Sequence, residues 1–270
     1  MVFTDGGAGV YVSRYLEEIK DAQHLRYHLM CHEGTVTVTN LQLSHDVAWV
    51  ACGCSDGSTR LLHLATEQVD KLDSPHQLGT PIERVRINCS NSSVASVSAD
   101  GMISVTKTQK LRGGISSASA LVLQAPLEVN PVTCLEFSAS KPEILATGDH
   151  NRMVTIWETK MEAKQCTIAG HVGPCSGLAF SQVNVKLLSS CGVDGQVVLY
   201  DVVSHQRIKT NAGKIEGNLE ALVAIAAAQD GVTVAVATAS GKIVLIDLKG
   251  KSNSKLTISE GDGKHPISNL

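Results

Sequence analysis

One short grammar recurs six times along the chain: a small or Ser/Thr residue, a tight acidic, polar or glycine-rich turn four positions on, an apolar run, and a residue six past the turn that is often bulky. The turns centre on Asp5, Asp56, Asp100, Asn151, Asp194 and Ser240, and the residues six later are Tyr11, Leu62, Thr106, Trp157, Tyr200 and Ile246. Consecutive turns lie 43 to 51 residues apart. A period of that length, with strand-like segments on both sides of each turn, describes small sheets that cannot bury their apolar faces alone and must stack on neighbours.

The clearest unit runs from Gly170 to Thr210. Ser176 to Ser181 alternates, Lys186 to Cys191 follows, the chain turns at Val193-Asp194-Gly195, and Gln196 to Asp201 resumes. This reads as three antiparallel strands with a weaker fourth over Gln206 to Lys209. Gly195 tolerates positive φ, and the Asp194 carboxylate can accept hydrogen bonds from nearby backbone N–H groups. The preceding unit has the same parts in Val132–Ser138, Glu143–Gly148, the turn around His150-Asn151-Arg152, and Val154–Glu158, with Phe137 and Phe180 in matching places. In the following unit, with its turn at Ser240-Gly241, alternation weakens, as it does in strands buried on both faces. Thr35–Leu64 and Arg84–Thr106 keep the register in more degenerate form. Lys107 to Asn130 reads as a strand plus an extended surface loop. Tyr15 to Met30 is ambiguous between a helix and the outer strand of the first unit. The expected fold class is all-β: a propeller of about six blades in one domain over residues 1–270, six-bladed or an incomplete seven-bladed one. The first turn at Asp5 has almost nothing before it, and His265 to Leu270 looks like the opening of another unit. The two ends are therefore expected to complete one blade together, or to belong to a longer propeller.

These residues resemble the WD-repeat family, whose blades open on Gly-His, carry Ser or Thr in the second strand and Asp in the next turn, and end the third strand on Trp-Asp. Gly170-His171, Ser190, Asp194 and Tyr200-Asp201 fill those places with only the Trp changed. The resemblance implies a WD40-type β-propeller in which His171, Ser190, Asp194 and Tyr200 form a structural network tying the incoming loop to the turn. Other units carry parts of it: His32 with Asp56 but Cys52 and Leu62; His76 with Ser96, Asp100 and Thr106; Thr147 with Asn151 and Trp157 but no His. A narrower resemblance, carried by His171–Ser181, Leu199–Thr210 and Gly231–Leu248, is to the WD-repeat proteins that recruit γ-tubulin ring complexes to centrosomes and spindles. It implies a non-catalytic adaptor of the cytoplasm and cytoskeleton, whose partners are γ-tubulin complex components or spindle recruitment factors. The chain then corresponds to the propeller, seven-bladed in that group, and the group's C-terminal helical region is not expected in these 270 residues.

The remaining features point away from other functions. With 23 basic and 26 acidic residues and a net charge of -3, the chain shows no electrostatic footprint for nucleic acid or anionic lipid. Its longest uncharged apolar run, Ala221 to Ala228, is far short of the roughly 20 residues of a membrane span. Met1-Val2-Phe3-Thr4-Asp5 lacks the basic start of a secretory signal, so a cytosolic address is expected. Eight cysteines without a Cys-x-x-Cys, mostly in strand-like context, read as small hydrophobes rather than disulfides. Cys52 and Cys54 share one face of a strand near His45 and His63, but the paired ligand spacing of a zinc site is missing, and no metal is expected.

Gly53-Cys54-Ser55-Asp56-Gly57 fits the nucleophile elbow of hydrolases, which needs a strand before it and a helix after it. The same slot holds Ser98-Ala99-Asp100-Gly101 and Gly192-Val193-Asp194-Gly195 in sister units, so it reads as a repeat turn. Gly6–Gly9 and Gly261–Lys264 lack the strand and helix of a phosphate loop. No catalytic, cofactor-binding or metal-ligating residue is expected. Binding is expected on the loops, with His150 and Arg152 as candidate partner contacts, and Trp49 and Trp157 in the core between units. Two other readings stay open: a scaffold of another large assembly, such as a nuclear pore or a ubiquitin-ligase receptor, and a propeller hydrolase, which convergent titratable groups would favour.

Overall fold

The computed structural model describes residues 2–4, 9–14, 23–28, 36–66, 68–111, 114–124, 131–161, 163–212, 214–215, 218–248 and 255–259. The turn at Asp5, Gly6 to Ala8, Cys31, His32, Lys249, Lys251, Gly261–Lys264 and His265–Leu270 lie outside these residues. No helix among the described residues is long and apolar enough to cross a membrane. The chain divides into two compact units, residues 1–129 and 130–270.

The first unit holds three antiparallel sheets, each in chain order. They are β1 (Val2–Thr4), β2 (Gly9–Arg14) and β3 (Gln23–His28); then β4 (Val38–Leu43), β5 (Trp49–Cys54), β6 (Thr59–His63) and β7 (Val69–Lys71); then β8 (Ile82–Ile87), β9 (Ser93–Ser98), β10 (Ile103–Leu111) and β11 (Gly114–Gln124). Within the ambiguous Tyr15–Met30 stretch, β3 is therefore a strand, and it forms the edge of the first sheet beside β2. Lys107 to Asn130, read as a strand plus an extended surface loop, holds more strand than that: β10 continues to Leu111 and pairs along its length with β11, in a ladder interrupted by two register shifts. No proline between Lys107 and Gln124 breaks that ladder, and a Gly113-Gly114 pair in sequence suits a tight reversal as readily as a loop.

The second unit repeats the arrangement. Its sheets are β12 (Val132–Phe137), β13 (Ile144–Asp149), β14 (Met153–Glu158) and β15 (Ala163–Ala169); β16 (Cys175–Phe180), β17 (Leu187–Gly192), β18 (Gln196–Asp201) and β19 (Gln206–Ala212); a short hairpin β20 (Lys214–Ile215) and β21 (Asn218–Leu219); and β22 (Leu222–Ala227), β23 (Thr233–Thr238), β24 (Ile243–Asp247) and β25 (Lys255–Ser259).

Second strands explain why alternation is weak in this sequence. β9 and β13 are buried along their whole length and β5 and β17 past their first residue, as expected of strands inside a sheet whose faces are covered. The apolar clusters lie between sheets: Ala146, Val154 and Ile156 pack with Leu178, Leu188 and Tyr200, and Cys191 and Val197 pack with Leu222, Val236 and Val244. In the first unit Ala51 and Leu61 meet Ile82, Val85 and Val94, with half-buried Trp49 at the margin of that cluster. Trp157 is more deeply buried and donates from Nε1 to Thr147 Oγ1 at 2.9 Å.

A recurring hydroxyl joins these sheets. The first strands of the four-stranded sheets each bulge at their second residue, between Val38 and Asn40, Ile82 and Arg84, Val132 and Cys134, Cys175 and Gly177, and Leu222 and Ala224. At three of these bulges the extra residue is Thr or Ser. Thr39 Oγ1 faces the carbonyl of Gly53 in its own sheet at 2.9 Å and that of Ile82 in the next. Thr133 Oγ1 does the same with Gly148, at 3.0 Å, and Cys175. Ser176 Oγ lies 3.2 Å from Cys191 O and 2.6 Å from Leu222 O. A single hydroxyl at the bulge thus lies within hydrogen-bonding reach of a carbonyl in each of two neighbouring sheets and ties one to the other.

The two tryptophans, one per unit, make this testable. Thr133→Val keeps the shape and removes the donor, and is expected to lower the stability of the second unit by about 1–2 kcal/mol. Urea unfolding followed by fluorescence in a protein retaining only Trp157, which lies in the same sheet as Thr133, should show the loss as a lowered midpoint.

Candidate functional site

Turns between second and third strands bring together most of the polar residues singled out in the sequence. Gly57, Gly101, Gly195 and Gly241 hold φ of 83°, 84°, 71° and 84°, and each N–H closes its turn on the residue three back. Arg152 occupies the same place in the β13–β14 turn, with φ of 70°. An L side chain there is strained where its four counterparts are glycine. His150 and Arg152 are both exposed, and the His150 N–H donates to Pro131 O at 3.1 Å.

Beside the β17–β18 turn lies the densest polar constellation of the described residues. His171, in the loop entering β16, has Nδ1 3.1 Å from Asp194 Oδ1 and Nε2 2.6 Å from Ser190 Oγ. Ser190 Oγ is 3.3 Å from Tyr200 Oη. Asp194 also accepts from Val172 N at 2.7 Å and Gln196 N at 3.1 Å, fastening loop and turn to one carboxylate. Burial pushes the His171 imidazole below its ordinary pKa, opposed by the nearby Asp194. A neutral ring then donates from Nδ1–H to Asp194 and accepts at Nε2 from the Ser190 hydroxyl. A Cβ on Gly170 would overlap the Tyr200 hydroxyl, so glycine at that place follows from the packing of the ring.

In connectivity this is nucleophile, base and acid. In access it is not: Ser190 and Tyr200 are each 0% exposed, so the hydroxyl has no open path to a substrate. Burial also pushes the Tyr200 phenol up. Ser55, the elbow candidate, lies in a turn between two strands, where its Oγ accepts from Thr37 N at 3.0 Å and β6 follows in place of a helix. The seven described cysteines are free thiols. Burial raises Cys52 and Cys191, the latter to about 12, and a hydrogen bond with Cys134 together with burial raises Cys175, which suits packing rather than thiolate chemistry. His45 is exposed and His63 stacks on Trp49 with centroids 4.2 Å apart, whereas Cys52 and Cys54 are enclosed, so these four do not converge on one point.

Sister sheets carry reduced versions. His76 Nε2 lies 2.8 Å from Ser96 Oγ, but its buried Nδ1 has no partner, because Asp100 turns to Ser98 and Met102 N instead. Thr106 reaches Asp73 O rather than the histidine. At Asp56, burial alone would raise the carboxyl, but the hydrogen bonds from Ser58 and the Arg60 guanidinium outweigh it and hold the pKa down. In the β13–β14 turn the capping acid is Asp149, which accepts from Met153 N at 2.9 Å, while the expected Asn151 is exposed. Thr238 caps the β23–β24 turn in the same way through Lys242 N. Asp56, Asp100 and Asp194 cap the amide two residues on, whereas Asp149 caps the amide four on, so aligning the repeats on their turn centres passes over it.

Two stretches of the chain, residues 23–62 and 163–201, match the family described as WD domain, G-beta repeat. Each begins on the last strand of one sheet and runs through the first three strands of the next. The chain carries WD repeats in these two stretches. A solved structure titled Crystal Structure of Mitotic Checkpoint Complex aligns with 97% of this chain and 77% of its own at a TM-score of 0.75 and 14% sequence identity, a likeness of fold alone. With the repeat matches, it places these sheets in the WD40-type β-propeller class. Among curated proteins, Protein NEDD1 of Mus musculus is 30% identical over 130 residues, 48% of this chain, and Protein NEDD1 of Homo sapiens is 31% identical over 126 residues, 46% of this chain. Those alignments span only 19% and 18% of the relatives' own length.

Both buried histidines set a pH dependence with a definite sign. The unfolded chain protonates them near the ordinary 6.5, the folded chain only below it, at about 4 for His76, where burial dominates over Asp100. Between those values the unfolded state binds more protons, so stability is full above 6.5 and falls as the pH drops towards 4. For His76 the upper bound is about 3 kcal/mol. The urea midpoint should be lower near about pH 5 than near about pH 7, and the His76→Gln, His171→Gln double variant should flatten that difference.

Proposed function

We propose that this chain is a non-catalytic adaptor that recruits or anchors γ-tubulin complexes for microtubule nucleation at centrosomes and the spindle. The observation that carries the reading is the likeness to NEDD1 over 130 residues, set on WD repeats. WD40 domains are protein-binding platforms, and the sheets here bury several chemistry-bearing groups: Ser190 beside Tyr200, the thiols of Cys134, Cys175 and Cys191 in apolar clusters, and His76 and His171 in turn networks. Residues 1–270 act as one propeller domain in the cytoplasm, without cofactor or metal. The partners are proteins, namely γ-tubulin complex components or spindle recruitment factors, and neither nucleic acid nor a membrane surface is a partner of a chain with this charge.

His150 and Arg152 are proposed as partner contacts. Four sister turns relieve the left-handed position with glycine, whereas this one retains a long cation there, in a fully exposed loop. A strained residue that glycine would replace without loss of fold is retained for its side chain.

Immunoprecipitation of the tagged chain from mitotic cell extract should retain γ-tubulin complex components or their spindle recruiters. Their absence, with other proteins retained, overturns this assignment. Arg152→Gly is expected to raise stability by about 0.5–1 kcal/mol while lowering the amount of partner retained. A variant that is more stable and binds equally well would remove Arg152 from the interface.

A further inference from the structure

We infer that the groove between the β12–β15 and β16–β19 sheets is a docking site for an extended segment of another protein that carries a basic residue beside an aliphatic one. The inference rests on the reading of the chain as a protein-binding scaffold and adds a site and a ligand chemistry to it. The groove encloses about 280 Å³. Its two walls differ in chemistry. Glu143, Glu158 and Gln165 lie on or beside successive strands at one end of the first sheet and form an acidic wall, while Val185, Val202 and Val203 supply an apolar wall from the second. Lys141 and His205 complete the rim. Formally two carboxylates face one ammonium, so the groove favours a cation and repels a phosphate backbone.

The repeat itself supplies the control. The N–H groups of Leu64, Thr108, Thr159, Val202 and Leu248 donate to the carbonyls of Ala48, Ser92, Glu143, Lys186 and Val232, which are therefore equivalent positions. Nothing in the fold requires an acid there. The Glu143 side chain makes no hydrogen bond or ion pair among the described residues, and Gln165 Nε2 donates to Glu158 Oε2 at 2.9 Å, holding that carboxylate on the wall. Val203 likewise stands where Ala65 and Lys160 follow the corresponding strands, and it is 54% exposed. Val185, on the same wall, is 41% exposed. A concentration of aliphatic surface at a charged groove marks a recognition site. His205, in the turn after β18, keeps φ at 58° without being glycine, a second rim residue held against backbone preference.

The experiment selects a phage-displayed library of random peptides on the whole chain, counter-selecting on the Glu143→Lys, Glu158→Lys double variant. The expected enriched peptides pair Lys or Arg with Val, Ile or Leu, and a synthetic copy of the leading one should bind the double variant at least about tenfold more weakly by titration calorimetry. Exchanging its basic residue for Glu should restore binding to that variant. Val203→Ser should weaken binding without altering the charge, and all variants should keep the parent melting temperature, since the changed wall groups reach solvent. Peptides that ignore the groove substitutions, or enrichment of acidic peptides, would overturn the site while leaving the scaffold reading intact. Loss of γ-tubulin retention with groove binding preserved would do the reverse.

Discussion

Thr39, Thr133 and Ser176 each place one hydroxyl between the carbonyl of their own second strand and the carbonyl of the next sheet's first strand. An antiparallel sheet of four short strands has two apolar faces and no interior of its own, so its stability comes from how closely its neighbours can be brought. At each of these bulges the one hydroxyl proton is shared between a carbonyl of its own sheet and a carbonyl of the next. The approach this enforces explains two glycines that no turn requires. A Cβ on Gly53 would come within 2.7 Å of Ile82, and one on Gly148 within 2.6 Å of Cys175, both in the following sheet. Apolar filling is then the same operation repeated, with Val, Leu and Ile from one sheet entering gaps in the next.

Polar groups buried by such stacking must be satisfied locally, and the sheets do so with unequal completeness. Around Asp194 a full set of His171, Ser190 and Tyr200 is present, and one carboxylate holds the entering loop and the turn together. Around Asp100 the set is broken, leaving His76 Nδ1 unpaired in a buried site, where the desolvation cost is not returned. Thr147 and Trp157 make a two-member version that needs no titratable group. The fold tolerates this spread because each network closes one loop, so the consequences of an incomplete one stay within its own sheet and the sheet beside it.

How much of this is legible in the chain follows from what the sequence periodicity encodes. Tight turns and third strands are readable because glycine at a left-handed position, an acid beside it and a run of β-branched residues are each dictated by local physics. Tyr200 in the place of tryptophan and His171 ahead of it can be read from one well-kept unit. The hydroxyl at the bulge cannot, because Thr39, Thr133 and Ser176 look like ordinary polar residues of alternating strands, and only the partner carbonyl in another sheet gives them a role. The β10–β11 pairing is hidden for a related reason: small residues such as Ser116 and Ser117 carry little strand propensity, and pairing with Gln109 and Thr108 of β10 decides their conformation.

A repeated fold separates two kinds of position. Those that close turns, bridge bulges or fill the gaps between sheets recur from unit to unit, because each unit meets the same physical demand. Those on the rims meet none, and there the units diverge: Glu143 against Ala48, Ser92, Lys186 and Val232, or Arg152 against four glycines. Divergence that costs nothing is uninformative, as on any solvated turn. Divergence that keeps a strained cation at Arg152, or leaves Val203 and Val185 exposed beside the Glu143 carboxylate, opposes what solubility and backbone preference would choose. Such positions are where binding specificity can be written without disturbing the stacked sheets that carry them.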